Sequence, residues 1–356
     1  MACPGSRLIG KDLPVIQPDA SKKKDRDEGD AAHYMAEQAF KGLMTLEELV
    51  DRKAPNNVYM TSEMFEHVDF YLKSLPEKSP TAGMEIVTNY HGEGFQVNGR
   101  ADHLDYHAPT GILHIGDLKY GWGIVEPENN WTLISHAVGW CLAHPETKPT
   151  SIVLSIYQPR PNHKDGRVRR WIISYDHLMT LCAKIFSNLS NPSDTLQTGP
   201  NCKYCHALAS CPAARKASLN AVDVADTAHD DKISGEQMTL ELDNLKAAAT
   251  RIKNRLGAIE DLVKHTLKSD PSAYPGYSVG PNYGSLKWNE NVNAELLKLM
   301  TAKDLTKPKL MTPLQAVKAG VNETVVKSLS HNPYIGLQLE KVSANEKAAK
   351  MFKKGT

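Results

Sequence analysis

Asp117 and Lys119, in the stretch Ile115-Gly116-Asp117-Leu118-Lys119-Tyr120, are two residues whose side chains can do chemistry together. On a strand they stand two apart, so both leave the same face of a sheet. Residues 101–106 ahead of them read as a second strand, and Ala108-Pro109-Thr110-Gly111 between the two has turn chemistry. The hairpin so formed brings Asp102 to the same place. Two carboxylates and an ammonium gathered on one face are costly in a plain core, because unpaired buried charge is expensive. A hard divalent cation between the carboxylates removes that cost and leaves the lysine to act on a phosphate or a water.

Such a site needs a sheet to hold it and helices to cover the sheet. Glu85-Ile86-Val87-Thr88 reads as an earlier strand, with Glu85 either a supporting acid or a solvent-facing residue. Residues 129–143 form a strongly apolar helix, 151–157 a buried strand, 171–175 another strand, and 177–189 a further helix. This alternation predicts an α/β fold with a central mixed sheet. Before the sheet, a charged segment at 21–30 reads as solvated, and a helix is predicted from Asp30, whose carboxylate suits an N-cap, through Phe40. His33 and Glu37 share one face of that helix, which by itself describes an ordinary surface pair. A helix is also predicted around residues 62–75.

The 356 residues carry 42 Lys and Arg against 41 Asp and Glu, a net charge of +1. That excludes a globally basic nucleic-acid binder, so any such surface must be a local patch. Arg160, Lys164, Arg167, Arg169 and Arg170 make the most basic stretch, either a solvated hairpin or a phosphate-contacting wall. Gln158 and Arg160, where the preceding strand enters it, are assigned with it to DNA contact. No apolar run reaches membrane-spanning length and residues 1–20 lack a signal pattern, so a soluble, cytoplasmic protein is expected.

Six cysteines in a chain this long do not make a disulfide scaffold. Cys141 and Cys182 lie in apolar helical stretches and read as core residues. Cys202, Cys205 and Cys211 form a compact knuckle able to supply three corners of a metal site, and Cys3, in an early Cys-Pro-Gly-Ser turn, is the candidate for the fourth. His206 is an alternative ligand. Iron–sulfur and zinc both remain open on spacing alone, as does a set of free thiols.

An acid followed after a turn by Asp-x-Lys, here Gly-x-x-Asp…Asp-x-Lys-x-Gly, resembles the PD-(D/E)XK nuclease superfamily in its RecB-like branch, and a phage-associated group within it whose core reads Asp-Leu-Lys-Tyr-Gly-x-Gly. The resemblance covers about residues 1–212. It implies a restriction-endonuclease-like core and a Mg²⁺- or Mn²⁺-dependent deoxyribonuclease, most simply an exonuclease that processes DNA ends in recombination, replication or genome degradation. It implies catalytic roles for Asp102, Asp117 and Lys119, with His33, Asp102, Asp117 and the Leu118 carbonyl as metal ligands. Where the family carries Gln-x-x-x-Tyr along its DNA channel, this chain departs from it with Thr132 and His136. One cysteine before the core and three after it resemble the 4Fe–4S staple of AddB-type nucleases, with zinc as the alternative. DNA is the implied partner, alongside a single-strand-binding protein or helicase. A catalytically inactive DNA-binding protein on the same fold is the competing expectation.

The expected organisation is a nuclease domain at 1–212 closed by the cysteine cluster, a linker at 213–244, and a mainly helical accessory region at 245–356. That last region begins with an amphipathic helix over 245–267, of near-heptad spacing and expected to pack on its own domain rather than dimerise, and continues with a hairpin around 277–288 and small helices. Its basic tail at 347–354 has no chemical reading.

Overall fold

The computed structural model describes residues 3–14, 16, 20–225, 234–283, 285–289, 292–301 and 311–341. The chain falls into two compact units: residues 1–15 with 22–259, and residues 16–21 with 260–356. The basic tail lies outside the described residues.

In the first unit, α1 (Ser6–Gly10), α2 (Ala20–Phe40), α3 (Leu46–Leu49) and α4 (Ser62–Ser74) precede the sheet. Then come β1 (Gly83–Val87), β2 (Tyr90–Gly92), β3 (Phe95–Val97), β4 (Arg100–His107), β5 (Ile112–Leu118), α5 (Trp131–Ala143), β6 (Ser151–Tyr157), β7 (Val168–Ile173) and α6 (Tyr175–Ser190). A 3₁₀ turn (Pro200–Tyr204), α7 (Pro212–Ala225) and the long α8 (Gly235–Ser269) follow, the residues of α8 from 260 on being counted in the second unit.

The main sheet has the order β1-β4-β5-β6-β7. All of its pairs are antiparallel except β5 with β6, which are parallel and joined through α5. This is the expected mixed α/β sheet flanked by helices. β2 and β3 pair with each other in a separate ribbon.

Strand alternation divides the core in two. Leu104, Leu113, Ile115, Ile152 and Leu154 meet α5 and α6 on one face. Leu118, Tyr120 and Tyr157 meet α2, α3 and α4 on the other. α5 starts where Asn130 caps it, its side chain accepting from the Thr132 and Leu133 N–H groups at 3.0 and 3.3 Å. α5 approaches residue 88 so closely that a Cβ at Gly139 would lie 2.1 Å from the Thr88 carbonyl oxygen, which is why glycine stands there.

The segment 21–30 is the first half of α2 rather than a solvated loop, and Asp30 is mid-helix rather than an N-cap. Lys, Arg and Glu are good helix formers, and Lys24 faces Glu28 one turn on at 3.8 Å. The expected linker at 213–244 is helical at both ends, in α7 and α8. α8 begins ten residues before the expected start because Ser234 and Gln237 form a capping box, exchanging hydrogen bonds of 3.2 and 2.8 Å.

The second unit holds β8 (Tyr277–Tyr283), β9 (Lys287–Trp288), α9 (Ala294–Thr301), α10 (Pro313–Lys318), α11 (Glu323–Leu329), β10 (Ser330–His331) and β11 (Tyr334–Lys341), with a small core of Leu297, Ala316, Val321 and Val326 against which Trp288, Val317 and Leu329 pack. The predicted 277–288 hairpin is not formed, because β8 pairs with β11 and β9 with β10.

Candidate metal centre

The register of the sheet builds the site. On β1 and β4, Met84 pairs with His103 and Ile86 with Ala101, which sets Glu85 opposite Asp102. On β4 and β5, His103 pairs with Gly116, and the next step of that register sets Asp102 opposite Asp117. Glu85, Asp102 and Asp117 therefore form a row across three adjacent strands. Like charges directly opposite each other destabilise a sheet; Arg100 reaches Glu85 at 3.6 Å and Lys119 pairs with Asp117, which leaves Asp102, between them, with His33 as its side-chain partner. Glu85 also has φ 56°, and it is the one non-glycine residue with positive φ inside a strand among the described residues. Strain of that kind is concentrated where a side chain must be aimed.

α2 covers the open side of the row. Asp30, His33, Tyr34 and Glu37 recur at helical spacing and line one cleft together with Glu85 and Asp102. His33 Nδ1 lies 3.5 Å from Asp102 Oδ1 and 3.9 Å from Glu85 Oε1. One ligand atom from each of these three residues falls within 4.8 Å of the others. A divalent cation with bonds of about 2.1 Å can span such a set of two carboxylates and one imidazole. Asp102 Oδ2 also accepts the Leu118 N–H at 2.7 Å, which fixes the carboxylate's rotation.

Lys119 Nζ lies 2.7 Å from Asp117 Oδ2 and 2.8 Å from its Oδ1. Burial opposes the lysine's charge, but the charges of Asp117 and Asp102 outweigh it and raise the pKa, so Lys119 stays an ammonium. Burial pushes the Asp102 carboxyl well above the usual carboxylate range, and the Asp117 charge pushes the same way against Lys119 and the Leu118 N–H. Burial lowers the pKa of His33, so its imidazole is neutral and free to ligate.

Sequence spacing gathered Asp102, Asp117 and Lys119 in one place, and only the family resemblance added His33 to them. Spacing left Glu85 undecided and took Asp30 for a cap. The α2 spacing carries a readable signal for Asp30, whereas Glu85 depends on a strand register that no local pattern specifies.

The residues assigned to DNA contact fare differently. Thr132 is exposed on the first turn of α5. His136 is buried, kept neutral by that burial, with its Nδ1 2.8 Å from the Thr88 hydroxyl. Gln158 is fully buried. Its Nε2 donates to the Gly121 and Gly123 carbonyls at 3.0 and 2.9 Å, and its Oε1 accepts from Arg169 at 2.7 Å and from the Val125 N–H at 3.3 Å. It is a strut for the loop after β5, and its amide has no capacity left for a surface contact. Arg160 forms ion pairs with Glu28 and Glu63 at 3.1 and 3.6 Å and stacks on Tyr120, its guanidinium carbon 3.9 Å from the ring centre. Arg169 is buried in the same strut, whereas Lys164, Arg167 and Arg170 are exposed. The strut holds Trp122, between two glycines, 64% exposed three residues beyond Lys119.

The N-terminal segment docks on the chain after α6. Gly5 N–H donates to the Thr195 carbonyl at 3.0 Å, Arg7 reaches the Leu189 and Gly94 carbonyls, and His206 Nε2 meets the Gly10 carbonyl at 2.9 Å. Cys3 Sγ accepts the Gln197 N–H at 3.5 Å. Burial raises the Cys205 thiol's pKa, and Cys202, Cys211 and Cys3 are near enough to push it the same way. All four cysteines thus share one neighbourhood, while the His206 Nε2 is taken up by docking.

A family model described as "Protein of unknown function (DUF2800)" matches residues 1–332. No curated protein matches. A solved structure titled "Crystal structure of SSO0001" is similar at 17% identity and a TM-score of 0.24, covering 43% of this chain and 70% of that one, a likeness too slight to carry an argument. With its match running from residue 1 to residue 332 of 356, the chain belongs to the DUF2800 family.

Proposed function

We propose that this protein is a metal-dependent deoxyribonuclease on a restriction-endonuclease-like core, acting as an exonuclease on DNA ends. The observation that carries the reading is the row Glu85, Asp102, Asp117, with His33 over it and Lys119 on the Asp117 face. His33, Glu85 and Asp102 would hold Mg²⁺ or Mn²⁺, with Asp117 and the Leu118 carbonyl completing the protein's ligands. Bound there, the cation supplies Lewis-acid contact to a phosphate and a lowered pKa for a water.

The protein's own groups do the positioning. Lys119, kept cationic by Asp117, orients the attacking water or donates to a phosphate oxygen as negative charge builds on it. Neutral His33 and hydrogen-bonded Asp102 are fixed in place before substrate arrives. The exposed Trp122 ring offers a face on which an unpaired base can stack. Lys164, Arg167 and Arg170 remain available to the phosphate backbone.

Cys3, Cys202, Cys205 and Cys211 would bind one metal cluster. A 4Fe–4S cluster is the reading carried over from the resemblance, with zinc as the alternative.

The test is incubation of end-labelled linear DNA and closed circular DNA with Mn²⁺, Mg²⁺ or EDTA. Degradation of linear DNA in either metal and none in EDTA is expected. Intact DNA of every form in both metals would leave an inactive DNA-binding protein as the better account.

A further inference from the structure

α8 carries an apolar stripe that the rest of the structure leaves open. Met238, Leu242, Leu245, Ala249, Ile252 and Leu256 follow one another at spacings of 4, 3, 4, 3 and 4 residues. That is the a/d pattern of a heptad repeat, with Leu242, Ala249 and Leu256 at a and Met238, Leu245 and Ile252 at d. Sustained over 19 residues, the pattern is about 28 Å long at a rise of 1.5 Å per residue. All six side chains are exposed, Met238 and Leu245 each at 57%. The repeat continues through Ile259 to Val263, which is buried. The exposed part of the stripe thus ends before Val263. The sequence alone favoured packing of the 245–267 helix on its own domain over dimerisation, and the structure leaves its stripe exposed at Leu245, Ala249, Ile252 and Leu256.

We propose that residues 238–256 pair with the same segment of a second copy in a parallel, in-register, two-stranded coiled coil. Two observations select this occupant. A continuous seam of small and medium aliphatic side chains on a helix that starts with its own capping box matches itself in knobs-into-holes packing without any rearrangement. The flanking charges also match a parallel copy. In that arrangement each g residue faces the e residue five positions on in the partner. Glu241 at g then meets Lys246 at e, twice by symmetry, and Ala248 meets Lys253 without repulsion. An antiparallel pairing centred on Ala249 would instead bring Lys246 against Lys253. Arg255, the next g residue, is engaged by the Leu208 and Ala209 carbonyls at 2.9 and 3.1 Å, so Glu241 and Lys246 are the discriminating pair.

The test is sedimentation equilibrium of the full chain at micromolar concentrations, with circular dichroism to follow the fold. The wild type is expected to be a dimer. Leu245→Glu and Ile252→Glu each yield a monomer with an unchanged unfolding midpoint for the rest of the chain, because both side chains are solvent-exposed in the single copy. Glu241→Lys turns two attractions into repulsions and weakens the dimer about tenfold. Adding Lys246→Glu to it restores wild-type affinity. A monomeric wild type, a dimer indifferent to Leu245→Glu, or a charge swap that fails to restore affinity would each overturn the proposal.

Discussion

Glu85 and Asp102 face one another across β1 and β4, two carboxylates in a cross-strand position that usually holds an opposite or neutral pair. The opposition makes the empty protein less stable than it could be and gives a cation its binding energy. Asp102→Asn, which keeps the acceptor for the Leu118 N–H, should raise the unfolding midpoint in EDTA. It should also abolish the stabilisation by Mn²⁺, which for wild type at a hundred times Kd is about 2.7 kcal/mol. A thermal melt with and without metal reads both effects.

Lys119→Ala and Asp117→Ala should each lower cleavage by at least about 10²-fold, the scale set by losing one charged group aimed at a transition state. DNA affinity measured in Ca²⁺ should change little. Wild-type rates in either variant would remove these residues from the mechanism.

For His33 the metal titration is the sensitive measurement. His33→Ala should shift the Mn²⁺ dependence of activity to higher concentration, so that the deficit is large at low metal and shrinks at saturation. An unchanged titration would make His33 a bystander on α2.

Stability should fall as the solution is made acidic, and His103 accounts for part of that fall. It is buried, and desolvation lowers its pKa from 6.5 to about 4. Between those values the unfolded chain binds the proton and the folded chain does not, so stability present above pH 6.5 is lost as pH drops towards 4. The full effect is about 3 kcal/mol. His103→Gln, which cannot titrate, should flatten that part of the pH profile of urea unfolding.

Cys3→Ser tests the docked N-terminus. Closing a loop of this length is worth on the order of 4–5 kcal/mol in the chain-entropy model for cross-links, against a typical domain stability of about 5–15 kcal/mol. The variant should therefore unfold at much lower denaturant although Cys3 lies far from Asp102 in sequence. Anaerobic protein should be brown and contain iron. Protein without iron or zinc, together with a Cys3→Ser variant as stable as wild type, would refute the cluster.

The hairpin and its charges were legible because turn chemistry and a period of two are local properties. So were the central helix and strand, whose apolar runs leave little choice. Glu85 was not, since its place opposite Asp102 depends on which strands pair and in what register. Gln158 was misassigned because a polar residue at a strand end looks the same whether it meets solvent or, as here, four backbone and side-chain partners inside the protein. The charged start of α2 was misread because composition distinguishes polar from apolar, whereas helix formation there follows from propensity and one-turn ion pairing.

The docking of residues 5–10 on residues 189–206 has a consequence for how the chain is made. During translation the first segment leaves the ribosome long before its seat exists. Its carbonyl and N–H partners emerge only after almost two hundred further residues, so the N-terminus must wait, solvated, while the sheet assembles. Residues 5–10 are therefore among the last to fold although they are made well before their seat, and a nascent chain stopped short of the cysteine knuckle can hold a sheet while that segment stays unanchored.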